Sequence, residues 1–161
     1  LPNAGKSSLL SAITNANPKI ANYQFTTLNP NLGVASYDNK EITIADIPGL
    51  IEGAHKGTGL GTQFLKHIER CKTLLHMIDI TNKDIKKSYN QIKNELKSYN
   101  SKLSDKKELI ILNKIDLIDE DEIEKIIKNF SKGIKSEVIT LSTLNKESIS
   151  NIKSKLLSYV S

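Results

Sequence analysis

Apolar positions along the chain follow two alternating periods, and that alternation predicts an α/β architecture with a mainly parallel sheet flanked by helices. A helical stripe comes first, with Leu9, Leu10 and Ile13 on the inner face of residues 7–16. Residues 31–37 and 41–47 read as strands joined by the polar turn Asp38-Asn39-Lys40, a hairpin signal. Residues 73–80, 108–112 and 136–141 are short apolar runs of the kind carried by strands buried on both faces. Amphipathic helices separate them. Ile85, Tyr89, Ile92, Leu96, Tyr99 and Leu103 recur at steps of four and three, a stripe that suits packing on a sheet better than pairing in a coiled coil. Asp119 and Glu122 give a capping-box-like start to a helix carrying Ile123, Ile126, Ile127 and Phe130. A last helix carries Ile149, Ile152, Leu156 and Val160.

Composition narrows this picture only slightly. A chain of 161 residues without an internal repeat or long linker is read as one domain with a substantial core. The single cysteine, Cys71, excludes a disulfide framework and fits a reducing compartment. No apolar run approaches the length of a membrane span, so the chain is read as cytoplasmic and is expected to be monomeric. The net charge of +5 permits an RNA or ribosome partner. The lysines, however, are interleaved with Asp and Glu, which describes a solvated surface rather than a nucleic-acid patch.

Chemistry enters at the first residues. Leu1-Pro2-Asn3-Ala4-Gly5-Lys6-Ser7-Ser8 reads as the back end of a G-x-x-x-x-G-K-[ST] phosphate loop whose first glycine would precede Leu1. Such a loop wraps backbone N–H groups around phosphates, with Lys6 reaching the β/γ oxygens and the Ser7 hydroxyl reaching Mg²⁺. The strand that feeds such a loop, central in the sheet, is expected to be missing from this chain. Asp46-Ile47-Pro48-Gly49 closes a strand, as a metal and γ-phosphate sensor should. Asp46 can hold Mg²⁺ through a water, and only a residue without Cβ, here Gly49, brings its N–H close to the γ-phosphate. By itself the same string is equally a strand-ending turn.

Asn113-Lys114-Ile115-Asp116 follows an apolar strand. The Asp116 carboxylate can accept two hydrogen bonds from guanine N1–H and its N2 amino group, a donor pair adenine lacks. Bonds of this type contribute roughly 1.5–3 kcal/mol each, and a site so built rejects the wrong base by about 10⁴–10⁵. Asn113 would tie this loop to the phosphate loop, and the Lys114 stem would cover a base face. Ser142-Thr143-Leu144, after another strand, can offer backbone N–H groups to guanine O6. The order of these motifs after Gly5-Lys6-Ser7 identifies the nucleotide as GTP.

Phe25-Thr26-Thr27-Leu28, with Asn29 next to it, lies in a polar loop. A threonine hydroxyl there completes a Mg²⁺ shell, and chemistry alone leaves Thr26 and Thr27 both open. The five glycines between Gly49 and Gly61 follow a loop rather than a strand, so a second switch segment fits better than a dinucleotide fingerprint.

Taken together, residues 1–8, 25–34, 46–70 and 113–116 resemble the Obg (CgtA) family of bacterial GTPases. The run from Asp46 through Leu50-Ile-Glu-Gly-Ala-His-Lys-Gly-Thr-Gly-Leu-Gly to Arg70 is the most specific piece, and Tyr23-Gln-Phe-Thr-Thr-Leu-Asn-Pro-Asn-Leu-Gly33 is close behind. The resemblance implies that residues 1–161 are an N-terminally truncated G domain of a P-loop NTPase, without the family's glycine-rich N-terminal domain. It implies GTP hydrolysis to GDP and phosphate with Mg²⁺, and a role in large ribosomal subunit assembly and in growth or stress control. Partners implied are GTP, GDP and ppGpp, with the large subunit or rRNA reached through the full-length protein. The resemblance also assigns the metal-binding threonine to Thr27. Thr143 departs from the family, which often has alanine there.

Ras-like enzymes orient the attacking water with a glutamine after Asp-x-x-Gly; here that position is Leu50. The single arginine, Arg70, lies at the far end of the second switch. Intrinsic Ras turnover is on the order of 10⁻⁴ s⁻¹ and an arginine finger adds about 10⁵-fold, so slow intrinsic hydrolysis is expected. Lys6, Thr27, Gly49 and Asn3 are the residues expected to serve catalysis. In potassium-activated relatives the position of Asn3 helps hold K⁺ in place of an arginine; a loop asparagine bonding backbone is the alternative. A nucleotide-gated sensor of GTP, GDP or ppGpp with little hydrolysis of its own is the competing function. His55, His67 and His76 are not expected to act as bases.

Overall fold

The computed structural model describes residues 4–14, 19–20, 31–46 and 68–160. Helix α1 (Lys6–Ile13) is followed by strands β1 (Lys19–Ile20), β2 (Asn31–Tyr37) and β3 (Lys40–Asp46). Next come β4 (Thr73–Asp79), α2 (Ile85–Tyr99), the single turn α3 (Ser101–Ser104) and β5 (Lys107–Asn113). A 3₁₀ turn (Ile115–Leu117), α4 (Glu120–Phe130), β6 (Glu137–Leu141) and α5 (Lys146–Val160) complete the order.

The strands form two ladders. In one, β1-β2-β3 pair antiparallel; in the other, β4-β5-β6 pair parallel. The expected mainly parallel sheet is therefore, among the described residues, one parallel and one antiparallel sheet, with no described strand joining β3 to β4. Parallel order follows from the helical crossovers α2 and α4, whose length carries the chain back across the sheet.

Side-chain alternation builds the layers. Leu109 and Ile111 of β5 face one side, with Met77 of β4 and Leu141 of β6, where Leu9 and Ile13 of α1 and Ile152 and Leu156 of α5 cover them. Ala35, Ile42 and Ile44 of the antiparallel sheet join that same cluster, so both sheets share the α1/α5 layer. Ile110 and Leu112 face the other side, against Tyr89 of α2 and Ile123, Ile126, Ile127 and Phe130 of α4. Covered on both faces, β5 is buried from Glu108 to Asn113, which explains its unbroken apolar run. The stripe on α2 thus packs on the sheet rather than on a coiled-coil partner.

Local chemistry sets the boundaries. Asp38 and Asn39 both take positive φ (50° and 58°) between the paired residues Tyr37 and Lys40. This is a two-residue turn of type I′, which matches the twist of the strands and favours Asp and Asn. The helical stripe from Ile85 to Leu103 breaks at Asn100, which is extended (φ −157°, ψ 119°) and accepts from Lys102 N–H at 3.0 Å. An asparagine that caps a new turn overrides a continuous apolar period. The expected capping box at Asp119 also differs: its side chain makes no cap bond, and Glu120, Asp121 and Glu122 instead complement the α4 N-terminus by charge. Burial pushes the Cys71 thiol up, away from the activated range.

Gly33 of β2 lies flat against α1. A Cβ there would overlap the Thr14 methyl and stand 2.9 Å from Leu10 Cδ1. Gly33→Ala is expected to destabilise the fold by about 1–3 kcal/mol, read as a lower urea midpoint at constant slope. An unchanged midpoint would mean that α1 yields without cost.

Candidate functional site

The carboxyl ends of β4, β5 and β6 are Asp79, Asn113 and Leu141, and Asp79 pairs in register with Asn113. In open α/β sheets this edge is where ligands bind. A hydrogen bond ties the N-terminus of α1 to this edge: the Asn113 amide Nδ2 donates to the Ala4 carbonyl at 2.9 Å, across 109 residues of sequence. Asn113 is 1% exposed, and its Oδ1 is buried with no hydrogen-bond partner among the described residues. Gly5, between Ala4 and α1, takes the left-handed conformation (φ +88°), and a Cβ on it would overlap Asn113 Nδ2. Only glycine combines that backbone with that approach.

A second junction joins α1 to β3. Ser7 Oγ donates to Asp46 Oδ2 at 2.8 Å, while Asp46 Oδ1 is buried and unpartnered among the described residues. A hydroxyl and a carboxylate side by side at a helix N-terminus form the hard-oxygen donor set that suits Mg²⁺, which takes one or two carboxylates plus phosphate and water oxygens. These residues fit the ion.

The third part is the loop after β5. Lys114 is left-handed (φ 70°) and opens the 3₁₀ turn containing Ile115 and Asp116. Asp116 is exposed, and the buried Ser142 donates to its Oδ1 at 2.6 Å. Leu144 N–H in turn donates to Ser142 Oγ at 3.3 Å. The carboxylate that would read a base is thus oriented by the loop after β6, with lone pairs left for a ligand. Thr143 is half-buried, while Leu144 and Ser8 are exposed.

The structure brings together Ala4–Gly5, Ser7, Asp46, Asn113, Asp116 and Ser142. Lys6 opens α1; of the other expected site residues, Leu1, Pro2, Asn3, Phe25, Thr26, Thr27, Leu28, Asn29, Ile47, Pro48 and Gly49 lie outside the described residues, as does the K⁺ reading of Asn3. Sequence reasoning missed Asp79 and Thr81. Lys114 Nζ bonds Asp79 Oδ2 at 2.5 Å, while Thr81 donates to Asp79 Oδ1 from both N–H (2.9 Å) and Oγ1 (2.7 Å). The available signal was a carboxylate at the end of an apolar run. Burial alone would raise the Asp79 carboxyl; the bonds from Lys114 and Thr81 outweigh it and hold it below the usual range.

Residues 1–114 match the 50S ribosome-binding GTPase family. GTPase Obg of Pelagibacter ubique is 72% identical over 161 residues, all of this chain and 49% of that protein. GTPase Obg of Rickettsia felis is 52% identical over 152 residues, 94% of this chain and 46% of that protein. The chain therefore spans about half the length of the curated relatives it matches. Among solved structures, the cytosolic domain of the T. maritima FeoB iron transporter in its GMPPNP form superposes with TM-score 0.73 at 21% identity, covering 98% of this chain and 60% of that one. The isolated G domain of the same transporter gives TM-score 0.71 at 22% identity, covering 99% and 94%. These two likenesses concern the fold, which is that of a P-loop GTPase G domain. The chain belongs to the 50S ribosome-binding GTPase family, with the Obg GTPases as its relatives.

Proposed function

We propose that the chain is the G domain of an Mg²⁺-dependent GTPase that binds GTP, hydrolyses it slowly to GDP and phosphate, and switches contacts with the large ribosomal subunit. The observation that carries this reading is the Asn113–Ala4 hydrogen bond, because it joins a phosphate loop to a guanine-type loop at one edge of the sheet. Bound Mg²⁺ would neutralise charge on the β and γ oxygens. Ser7, Asp46 and Thr27 would hold that ion, and Lys6 with the N–H groups around Gly5 would hold the phosphates. Asp116 accepts from the base while Ser142 fixes its orientation. Thr27 and Gly49 would contact the γ-phosphate, and Asn3 would hold a K⁺ that supplies the charge an arginine does in other enzymes.

The test is nucleotide competition followed by single-turnover hydrolysis. GTP and GDP are expected to displace a fluorescent guanine nucleotide in Mg²⁺, and ATP is not. Turnover alone is expected on the order of 10⁻⁴ s⁻¹, faster in K⁺ than in Na⁺ at matched ionic strength, and faster again with large subunits. Equal displacement by ATP would overturn the guanine reading. Tight binding with no hydrolysis under any of these conditions would favour a sensor of GTP, GDP or ppGpp, the reading that Leu50 in place of a glutamine supports.

A further inference from the structure

We infer that Asp79, locked by Thr81, is a positioning residue for the base site: it sets the reach of Lys114 and so controls how long a guanine nucleotide stays bound. The inference rests on the reading of Lys114 as the lysine that covers the base. Its geometry is independent of that reading. Asp79 ends β4 opposite Asn113, and Ile80 N–H donates to the Asn113 carbonyl at 3.0 Å, so the ladder extends to the edge of the loop. The next residue, Lys114, then turns into the left-handed region, which a lysine rarely adopts. Its side chain doubles back to Asp79 instead of pointing into water.

Both oxygens of Asp79 are committed. Oδ1 takes two bonds from Thr81, and Oδ2 takes Lys114 Nζ. The Thr81 bonds stop the carboxylate from rotating, so Lys114 has one anchor point rather than a swinging one. A long lysine stem otherwise samples many rotamers. Pinned at its ammonium and at its backbone, the stem becomes a fixed wall beside Asp116, two residues on. An ordinary surface ion pair has no such consequence and contributes little. Here the pair is partly covered, with side-chain exposures of 33% for Lys114 and 21% for Asp79.

The test is a double-mutant cycle read in GDP release rate, with the melting temperature recorded alongside. Asp79→Asn is expected to speed release about 10-fold, within the coupling range of contacting residues. Lys114→Met is expected to speed it at least as much, and the double variant no more than Lys114→Met alone. Thr81→Val should move in the same direction as Asp79→Asn, whereas Thr81→Ser, which keeps the hydroxyl, should not. Thr81 is exposed, so its variants keep the test open should Asp79→Asn fold poorly. Additive effects of Asp79→Asn and Lys114→Met would overturn the inference, as would Thr81→Val releasing GDP at the wild-type rate. Failure of the wild type to hold any guanine nucleotide would instead overturn the reading beneath it.

Discussion

Asp116→Asn is expected to exchange guanine for xanthine as the preferred base. A carboxylate accepts from both guanine N1–H and the N2 amino group; an amide presents one acceptor and one donor. The donor faces an amino group in guanine and a carbonyl in xanthine, so the same substitution removes one match and creates another. Losing one bond to a charged acceptor, at roughly 1.5–3 kcal/mol, and setting two donors face to face weakens GDP by at least about 10–10²-fold. Ser142 sharpens the result. Its hydroxyl lies 2.6 Å from Asp116 Oδ1 and, in the variant, holds the amide oxygen inward with the NH₂ toward the ligand. Competition of GDP and xanthosine diphosphate against one fluorescent nucleotide measures the switch. A variant that still prefers GDP would remove Asp116 from base recognition.

The elements were largely legible in the sequence because their causes are local. Polar Asp38-Asn39 between alternating strands produces a turn wherever those residues meet, and the apolar run of β5 needs only burial on both faces. The break at Asn100 was not legible, since a side-chain bond two residues away competes with an unbroken stripe. At the site, the phosphate loop and the Asn-Lys-x-Asp string are contiguous motifs, readable one by one. Their juxtaposition through Asn113 and Ala4 is not contiguous and depends on the parallel register. The same register hides Asp79, which reads as the polar end of an apolar run until β5 is laid beside β4.

Register also builds a feature far from that edge, and it sets the largest expected effect on stability. Glu108 is the second residue of β5, at the amino end of the sheet, and is buried at 5% exposure. Tyr89 OH (3.0 Å), Ser136 Oγ (3.1 Å) and Lys93 Nζ (3.3 Å) donate to its Oε2, and His76 Nδ1 lies 3.2 Å from Oε1. An ionised carboxylate only accepts, so the His76 proton sits on Nδ1; Nε2 is then the buried nitrogen with no partner among the described residues. Burial alone would raise the carboxyl. The bond from His76 and its charge when protonated, the charge of Lys93 and the bond from Tyr89 outweigh it and bring it from 4.5 down to about 2. The same burial, with Glu108 beside it, pushes the Tyr89 hydroxyl up to about 12.

Because the folded value lies below the unfolded one, this carboxylate contributes stability above pH 4.5 that is lost as the pH falls toward about 2. The full contribution is about 3 kcal/mol. Glu108→Gln removes the charge but keeps the shape, leaving Lys93 without its counter-ion, and is expected to cost about 3–5 kcal/mol at pH 7. That is a large share of the roughly 5–15 kcal/mol that holds a domain together. Urea unfolding of both proteins from pH 7 to pH 3 separates this from general acid sensitivity: the gap between them should narrow as the pH falls. A constant gap, or a variant as stable as the wild type at pH 7, would show that the four neighbours do not hold a charge. Since Glu108 and Asn113 stand at opposite ends of one strand, the GDP release rate of the folded variant should match the wild type. Fold stability and nucleotide hold would then be set at the two ends of β5 by different carboxylates, Glu108 at one and Asp79 with Asp116 at the other.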